Sequence, residues 1–435
     1  MKHSLGEFIA KAPILRSWLL VPVTSLFIAT APSTLWADDQ EAIRPFKVEV
    51  DADVLDDLQR RLGATRWPNQ IAETDYGVDV GYMKELVEYW RTEYDWRKHE
   101  RVLNAFPQFK TRIDGLDLHY LLVKSPHVDA TPLVLAHGWP GSVYEFYKII
   151  PMLTEPEKHG GRVEDAFHVV CPSLPGFGFS EVPKERGWNS RRMAEVIAKL
   201  MARLGYEKYG AQGGDWGGGI VRWLAANDGA HCIGIHSNFP SSRPPRDNRM
   251  RGVTQAEIQR YQRRRDELAD HKAYSAIQGS RPLTLSYGLT DSPVGMAAWI
   301  ADKFWAWSDH GGKLENSFTK DELLTNVMIY WVSNTMPSAV RIYYESSHPS
   351  PRPKSMTPFE PTGPAAPMGF ALFPKEINIP PRAWVERSAG DGMIHWTELS
   401  RGGHFAAFET PELLAHDVRL FFRKVRIISG PDRDN

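Results

Sequence analysis

The sequence predicts an α/β protein built on a mostly parallel central sheet, and three observations support this fold class. Apolar stretches of strand length alternate with amphipathic helical stretches over residues 126–240, and the alternation resumes over residues 351–430. Between these two core parts, residues 241–350 have the pattern of helices rich in aromatic residues. Because strands that alternate with helices of this length form parallel sheets covered on both faces, we predict one sheet interrupted by a helical cap.

The composition is that of a globular protein without a strongly charged partner. The 435 residues include 52 Lys and Arg and 53 Asp and Glu, so the formal net charge is −1. This balance gives no electrostatic argument for nucleic acid binding. The run RRRDEL at 263–268 is predicted to be a solvated helix face, since acidic residues directly follow the arginines. Two cysteines, Cys171 and Cys232, provide neither a disulfide framework nor a metal cluster, and we expect no cofactor.

Residues 1–37 have the pattern of an export signal. Three basic residues precede the uncharged stretch SWLLVPVTSLFIATAPSTLWA, which ends in Ala37 before two aspartates. A basic start, an apolar centre and a small residue at the end are typical of a signal peptide. Residues 17–37 are also long enough to anchor the chain in a membrane, but Pro22 and Pro32 disfavour a spanning helix. We therefore expect an exported protein, periplasmic or secreted, with a membrane anchor as the alternative.

Residues 43–125 are predicted to form a largely helical N-terminal segment. The stretches DADVLDDLQRRLGATRW and GYMKELVEYWRTEYDW place apolar residues at helical spacing. The stretch FKTRIDGLDLHYLLVKS has the pattern of two strands around Asp114 and Gly115, a pair that favours a hairpin turn.

The elements of the core follow in order. PLVLAHGWPG is predicted to be a buried strand that ends in a glycine loop, and EFYKIIPMLTEP a helix. FHVVCPSLPGFGFS is a strand with its loop, and NSRRMAEVIAKLMARLG an amphipathic helix that Asn189 or Ser190 caps and Gly205 ends. KYGAQ and CIGIHSNFP are further strands. After the proline-rich loop HPSPRPKSMTPFEPTGPAAP, the last core part adds MGFALFPKEI, MIHWTELSRGGHF and a final helix, PELLAHDVRLFFRKV.

The turn GGDWG, residues 213–217, carries the candidate nucleophile Asp215. It lies between the strand KYGAQ and the helix GGGIVRWLAAN, and small residues on both sides of the apex let the chain turn sharply. The apex side chain is then exposed at a helix N-terminus, whose dipole favours a negative charge. A carboxylate there can attack an sp3 carbon that bears a leaving group, such as an epoxide or alkyl halide carbon, and form an alkyl ester. Simple capping of the helix is the structural alternative.

Hydrolysis of an alkyl ester requires an activated water, and the candidate base is His404 in the late loop RGGHF. Such a histidine needs a carboxylate that fixes its tautomer and stabilises the imidazolium. Glu376 in FPKEI and Asp391 in AGDGM both qualify. Glu376 is favoured because it ends an apolar strand, whereas Asp391 has the surroundings of a turn residue.

The motif HGWPGS, residues 137–142, follows the first apolar strand of the core. The backbone N–H of Trp139, with that of Trp216 after the nucleophile, is predicted to form an oxyanion hole for ester hydrolysis. His137 is predicted to be structural, hydrogen-bonded inside its own loop. The tryptophans of the cap and its surroundings suggest an apolar pocket, and they are Trp299, Trp305, Trp307 and Trp331.

With HGWPGS, GGDWG, FPKE and RGGHF in this order, the chain resembles the microsomal-type epoxide hydrolases of the α/β-hydrolase superfamily. The resemblance extends from about residue 43 to residue 425 and includes the N-terminal segment and the cap stretch YGLTDSPVGMAAWI. It implies an α/β-hydrolase fold, with Asp215 as nucleophile, His404 as base and Glu376 as the acid partner of the histidine.

The resemblance also implies two cap tyrosines that bind the epoxide oxygen and donate a proton to it. AYSAIQG supplies Tyr274 and VRIYYE supplies Tyr343, with the adjacent Tyr344 as an alternative. A phenol with a pKa of about 10 stays protonated at neutral pH and can act in this way. The sheet order of the family separates Cys171 from Cys232 by two strands, about 14 Å, which is too far for a disulfide.

The expected activity is hydrolysis of an epoxide, and the expected partners are a small apolar epoxide and water. A haloalkane dehalogenase shares the Asp nucleophile but needs donors that bind a halide, for which the two tyrosines are unsuited. A non-catalytic binding protein on the same scaffold is the second alternative, although no catalytic position is lost. No nucleic acid partner is expected, membrane contact requires a retained N-terminal segment, and a homo-oligomer is compatible with the sequence.

Overall fold

The structure is a computed structural model that describes residues 42–72, 74–348 and 362–428. The predicted export signal and most of the proline-rich loop therefore lie outside the described residues. Within the described ranges, no helix combines the length and the apolar character that crossing a membrane requires.

One sheet of nine strands organises the described part of the chain, in the order β1-β2-β3-β5-β4-β6-β7-β8-β9. The strands are Arg44–Phe46 (β1), Gln108–Ile113 (β2), Leu116–Val123 (β3), Thr131–Ala136 (β4), Phe167–Pro172 (β5), Tyr209–Gly213 (β6), Cys232–Ser237 (β7), Met368–Leu372 (β8) and Met393–Glu398 (β9). Strands β4 to β9 pair in parallel, whereas β1, β2 and β3 pair antiparallel at one edge. The predicted mostly parallel sheet is thus confirmed.

The N-terminal segment contributes both helices and strands. Its helices are Ala52–Gly63 (α1), Val80–Thr92 (α2) and Trp96–Asn104 (α3). Asp114 and Gly115 join β2 to β3 with φ values of +50° and +78°, the left-handed pair that a tight hairpin requires. Strand β1 was not predicted, because three residues at a sheet edge are too few to show an alternating pattern.

The first core part places helices between its parallel strands. These helices are Ile149–Thr154 (α4), Ser190–Arg203 (α5) and Asp215–Asn227 (α6). The side chain of Asn189 caps α5 by accepting a hydrogen bond from the Arg192 N–H. Gly205, just beyond the helix, has a φ of +80°, a left-handed conformation that ends it as predicted.

The cap is helical throughout its described regular structure, as predicted. Its helices are Gln255–Glu267 (α7), Ala273–Ser280 (α8), Pro282–Asp291 (α9), Pro293–Trp307 (α10), Lys320–Ser333 (α11), Met336–Ala339 (α12) and Arg341–Ser347 (α13). Helix α10 packs against α1 and α2, and α11 against α2 and α3. The cap and the N-terminal helices therefore share one apolar core.

The second core part completes the layers around the sheet. Its helices are Arg382–Ala389 (α14), Ala406–Glu409 (α15) and Pro411–Ile428 (α16). Apolar residues of α5 and α6 belong to the core on one face, which continues into the cap, and those of α4 and α16 form a second core on the other face. Cys171 on β5 and Cys232 on β7 are both buried free thiols, with β4 and β6 between their strands.

Candidate active site

The turn between β6 and α6 holds Asp215 in a strained backbone conformation. Asp215 has a φ of +48°, in the left-handed region that residues other than glycine seldom adopt. The neighbouring glycines make this turn sterically feasible. A Cβ on Gly217 would collide with the carbonyl oxygens of Ala136 and His137, and one on Gly213 would approach the Gly217 backbone within 2.6 Å. Only glycine therefore fits on either side of this apex.

The HGWPGS loop lies directly against the Asp215 carboxylate. The backbone N–H of Trp139 donates a 2.8 Å hydrogen bond to Asp215 Oδ1. Gly138 makes this approach feasible, because a Cβ there would collide with the Asp215 side chain. Trp216 follows in the first turn of α6, where backbone N–H groups have no acceptor within the helix. The Trp139 N–H thus binds the carboxylate, and the role of the Trp139 and Trp216 N–H groups as oxyanion donors stays a prediction.

His404 lies between two carboxylates. Its Nδ1 is 2.6 Å from Glu376 Oε1, and its Nε2 is 3.5 Å from Asp215 Oδ2. Burial disfavours the imidazolium, but the charges and hydrogen bonds of Glu376 and Asp215 outweigh burial and raise the pKa of His404 to about 10. Glu376 is fully buried, in the loop that follows β8, and accepts a second hydrogen bond from the Ile377 N–H. The two carboxylates therefore favour the charged form of the histidine in the resting protein.

Asp391, the competing acid, lies elsewhere. It occupies a 3-10 turn, Gly390–Gly392, and is exposed to solvent. The structure therefore brings Glu376, and not Asp391, to the histidine.

The two cap tyrosines meet above the nucleophile. Their ring centroids are 5.7 Å apart, and both rings contact Trp139, at 5.4 Å for Tyr274 and 5.7 Å for Tyr343. The Tyr343 ring also lies 4.9 Å from that of Trp216. Burial, together with the charge of Asp215, raises the pKa of both phenols well above its ordinary value. Both hydroxyls therefore stay protonated at neutral pH and are available as donors.

Burial distinguishes the two adjacent tyrosines, Tyr343 and Tyr344. Tyr343 is 8% exposed and faces Trp139, whereas Tyr344 stacks on His348 and lies near Arg186. Helix α13 turns the two neighbours in different directions, so only Tyr343 reaches the site.

The four tryptophans have separate surroundings. Trp307 is buried against Tyr274, at 5.2 Å, and His404, at 5.1 Å. Trp299 donates to Gln278 and lines a neighbouring cleft. Trp305 is 45% exposed, and Trp331 lies under the Arg61 guanidinium. Of the four, Trp299 lines the cleft beside Tyr274, Trp305 lines a neighbouring cleft, and Trp307 packs against Tyr274 and His404.

His137 is held inside its loop, as predicted. Its Nδ1 lies 3.0 Å from the Gly138 carbonyl oxygen, and its Nε2 accepts a hydrogen bond from the Leu174 N–H. Burial lowers the pKa of His137 to about 4, so this imidazole is neutral.

The predicted exposure of Arg264 is wrong. The run 263–268 was predicted to be a solvated face, but Arg264 is 5% exposed. Its guanidinium donates to the carbonyl oxygens of Glu376, Lys375 and Ala306, at 2.9, 2.6 and 3.0 Å. Arg264 thus ties α7 to the loop that carries Glu376. The neighbouring arginines are exposed, so nothing in the local sequence distinguished this one.

A cleft of about 490 Å³ leads to Tyr274 from the protein surface. Apolar and aromatic side chains form part of its lining, including Tyr76, Ile277 and Trp299. Lys303, also in the lining, is buried and places its ammonium 4.5 Å from the centre of the Tyr274 ring. Of the two cap tyrosines, Tyr274 lines this cleft.

Among the described residues, one group of three has metal-ligand side chains close together, and it lies away from Asp215. It consists of His236, His395 and Asp417, all buried. The two imidazoles lie 2.9 and 3.0 Å from the Asp417 oxygens. Lys424 Nζ lies 2.9 Å from His395 Nδ1 and can only donate, so the other nitrogen of His395 carries the proton that Asp417 accepts. The group is therefore a hydrogen-bonded cluster in this arrangement.

Comparison with protein families gives two matches. Residues 43–146 match the family described as epoxide hydrolase N terminus, and residues 131–270 match the family described as alpha/beta hydrolase fold. The two matches overlap at β4 and the HGWPGS loop, where the N-terminal segment meets the core.

Comparison with individual proteins gives long alignments. The chain is 46% identical over 394 residues to a protein of Stigmatella aurantiaca named for epoxide hydrolase activity, covering 88% of this chain and 86% of that protein. It is 40% identical over 412 residues to epoxide hydrolase 1 of Sus scrofa, covering 88% and 89%. The juvenile hormone epoxide hydrolase of the silkworm Bombyx mori superimposes with a TM-score of 0.81 at 30% identity, covering 92% of this chain and 98% of that structure.

Proposed function

This chain belongs to the epoxide hydrolase family, and from that membership we propose that it converts an epoxide and water into a vicinal diol through a covalent ester on Asp215. One arrangement supports the proposal above all. The Asp215 carboxylate is bound by the Trp139 N–H at Oδ1, while Oδ2 faces His404 and the charge acts on both cap tyrosines. A nucleophile, an oxyanion donor, a base and two acids thus converge on one point.

In the first half-reaction, Asp215 Oδ2, the oxygen that Trp139 does not bind, attacks an epoxide carbon. The C–O bond of the ring breaks, and Tyr274 or Tyr343 donates its proton to the departing oxygen. The ester is neutral, so one of the two charges that hold the pKa of His404 high is lost. The imidazolium then gives up its proton, which restores the tyrosine through solvent and leaves His404 neutral.

In the second half-reaction, water attacks Asp215 Cγ and transfers a proton to His404 Nε2. The negative charge develops on Oδ1, where the N–H groups of Trp139 and Trp216 stabilise it. When the bond between Cγ and the alkyl oxygen breaks, His404 returns the proton to that oxygen and releases the diol. The Asp215 carboxyl finally passes its own proton to His404, and the resting charges are restored.

The cleft beside Tyr274 supports an apolar epoxide as the substrate. Its lining contains Tyr274, Ile277 and Trp299 together with charged residues such as Asp270 and Asp302, and the Trp307 ring packs 5.2 Å from that of Tyr274. An apolar or aromatic substituent buried there leaves the epoxide oxygen at the tyrosine hydroxyls, the polar groups that fix its orientation.

Export is a further part of the proposal and rests on the sequence of residues 1–37 alone. The mature N-terminus of the protein recovered from its producing cells tests it. A chain that begins at residue 38 supports cleavage and export, whereas a chain that retains residues 17–37 in a membrane fraction supports the anchor.

Turnover of purified protein tests the activity. We expect styrene oxide to give phenylethanediol, and we expect Asp215→Asn to abolish this product while the variant keeps its thermal unfolding temperature. Incubation with 1-haloalkanes distinguishes the alternatives. Halide release without diol formation from epoxides would indicate a dehalogenase, and a folded protein inert towards both substrates would indicate a binding protein.

A further inference from the structure

A small cavity lies behind Asp215, apart from the cap tyrosines. Its volume is about 20 Å³, counted as the space open to the centre of a water molecule. That is room for about one water. Asp215 and His404 both line this cavity, and Tyr274 and Tyr343 do not. The cavity thus adjoins the candidate nucleophile and the candidate base but neither cap tyrosine.

Glu145 supplies the first polar group of this cavity. It lines the cavity, and its carboxyl fills the space that Gly141 leaves, because a Cβ at Gly141 would overlap with Glu145 Oε1. Burial, reinforced by the nearby charge of Asp215, raises the pKa of Glu145 to about 8, against the opposing effects of His404 and a backbone hydrogen bond. Burial thus favours the protonated carboxyl, which can donate a hydrogen bond as well as accept one.

Gln212 supplies the second polar group. Its side chain is 1% exposed, lines the cavity and donates from Nε2 to Asn238 Oδ1 at 2.8 Å. Asn238 in turn donates to the backbone oxygen of His404 at 3.4 Å, which fixes the orientation of this pair of amides. The remaining oxygen, Gln212 Oε1, is buried and has no hydrogen-bond partner among the described residues. A buried acceptor without a partner is costly, and an ordered water is the usual way to satisfy it.

We propose that this cavity binds the water that hydrolyses the Asp215 ester, and that Glu145 and Gln212 position that water against Asp215 Cγ and His404 Nε2. The inference deepens the proposed function and rests on its covalent intermediate. The water donates one proton to Gln212 Oε1 and accepts from the neutral Glu145, which leaves its second proton for His404. Its oxygen forms the new bond to Cγ, His404 takes the proton, and the bond from Cγ to the alkyl oxygen then breaks.

This placement separates the two half-reactions in space. Tyr274 lines the surface cleft and not the small cavity, whereas Asp215 and His404 line the small cavity. In the proposed mechanism the epoxide therefore binds at the tyrosines, and the water binds in the small cavity. The alkyl group of the ester therefore does not block the attack of water. Loss of either water-binding side chain should slow ester hydrolysis and leave ester formation largely intact, because the epoxide and the tyrosines do not contact these groups.

Rapid-quench single turnover with styrene oxide tests the proposal. The intact mass of the quenched protein measures the Asp215 ester, and chromatography measures the diol. Glu145→Met and Gln212→Met keep the side-chain length but remove the polar atoms. In both variants we expect the rate of ester hydrolysis to fall by about tenfold to 100-fold. The rate of ester formation should stay within about twofold of the wild-type rate. Glu145→Gln keeps a donor in the same place and should retain more of the hydrolysis rate than Glu145→Met.

Two controls separate this role from a general effect on folding. Glu322→Met removes a buried carboxylate that binds Tyr147 and Lys148 outside the cavity, so the ratio of the two half-reaction rates should stay at the wild-type value. Ala407→Val narrows the cavity without changing a polar group. It should slow ester hydrolysis selectively, and it provides the test if a methionine variant does not fold.

The outcomes distinguish this proposal from the proposed function. If wild type forms and hydrolyses the ester while both methionine variants hydrolyse it at the wild-type rate, the water site is wrong and the covalent mechanism stands. Equal slowing of both half-reactions would also overturn the water site, since it indicates a structural role. Turnover by wild type without any ester on Asp215 would overturn the proposed function and this inference together.

Discussion

The Nδ1 atom of His404 lies 2.6 Å from Glu376 Oε1, a short contact between a buried imidazole and a fully buried carboxylate. The contact orients Nε2 towards Asp215 and keeps the ring charged in the resting protein, with a pKa of about 10. In the proposed mechanism, esterification neutralises Asp215 and removes one of the two charges that favour the imidazolium. The proposal thus links the order of the two half-reactions to the charge of Asp215.

Replacing Glu376 should affect the second half-reaction and not the first. In Glu376→Gln, we expect the pKa of His404 to fall below about 10, because its largest stabilising charge is gone. Ester hydrolysis should slow by about 100-fold or more, while the ester still forms and accumulates. Imidazole NMR titration measures the pKa, and intact mass measures the ester. Asp391→Asn, at an exposed turn, is the control, and an equal effect of both changes would contradict the assignment of Glu376.

The raised pKa of His404 also predicts a dependence of stability on pH. A folded pKa of about 10, above the ordinary value of 6.5, means that the imidazolium stabilises the fold. This contribution is complete when the pH is below the pKa of His404 in the unfolded chain. It is lost as the pH rises through the pKa of His404 in the folded protein. Between pH 6.5 and pH 10, the unfolding temperature of His404→Gln should therefore fall less than that of wild type. Equal falls by calorimetry would show that the histidine is neutral in the resting protein.

The two cap tyrosines should act on ester formation. We expect Tyr274→Phe and Tyr343→Phe each to slow it by about tenfold, and the double variant by about 100-fold or more, because a general acid contributes on this scale. Tyr344→Phe is the matched control, since Tyr344 stacks on His348 outside the site. Rapid-quench mass spectrometry gives the rates. A larger loss in Tyr344→Phe than in Tyr343→Phe would reverse the choice between the two neighbours.

Two glycines of α6 should respond in opposite directions to alanine. A Cβ on Gly217 collides with backbone oxygens of β4 and the HGWPGS loop, which cannot move aside, so Gly217→Ala should cost about 3 kcal/mol or more. A Cβ on Gly219 meets only Ser190, at an ordinary 3.8 Å. Gly219→Ala should then stabilise the helix by about 0.5 to 1 kcal/mol. Denaturant unfolding measures both free energies, and a Gly217→Ala loss no larger than that of Gly219→Ala would show that the turn around Asp215 tolerates a Cβ.

Arg264 should hold the loop that carries Glu376. Arg264→Gln removes buried charged donors from three carbonyl groups, and we expect a loss of about 2 to 4 kcal/mol in the free energy of unfolding. Ester hydrolysis should also slow, because Glu376 loses its fixed position. Arg265→Gln is the control on the same helix, where the exposed side chain should matter by less than about 0.5 kcal/mol. Unchanged stability in the Arg264 variant would contradict the assigned role.

The sequence indicates the candidate catalytic residues because each lies in a local pattern that has a physical reason. The glycines around Asp215 indicate a sharp turn, and the structure shows that a Cβ at Gly213 or Gly217 would collide with backbone atoms. The strand pattern predicts that His404 and Glu376 lie in loops that follow parallel strands, and in the structure His404 contacts both Glu376 and Asp215. The choice of Tyr343 over Tyr344 needed the structure, since it depends on how α13 is rotated.

Other groups gave no local signal. Arg264 sits between exposed arginines, and only the tertiary packing of α7 on the Glu376 loop buries it. Glu145 and Gln212 lie in stretches without a recognisable motif for binding water. The cavity that they line is formed by segments far apart in sequence. Burial of a polar atom is a property of the folded chain, so the sequence alone does not predict which polar side chains are buried.

Single turnover of purified protein with styrene oxide in H₂¹⁸O tests the central claim most directly. The diol and the peptide that contains Asp215 are analysed by mass spectrometry. If Asp215 is the nucleophile, the first diol carries an oxygen from the enzyme and ¹⁸O enters the Asp215 carboxylate. If ¹⁸O enters the diol directly and none enters Asp215, the carboxylate acts as a base on water, and the covalent mechanism is wrong.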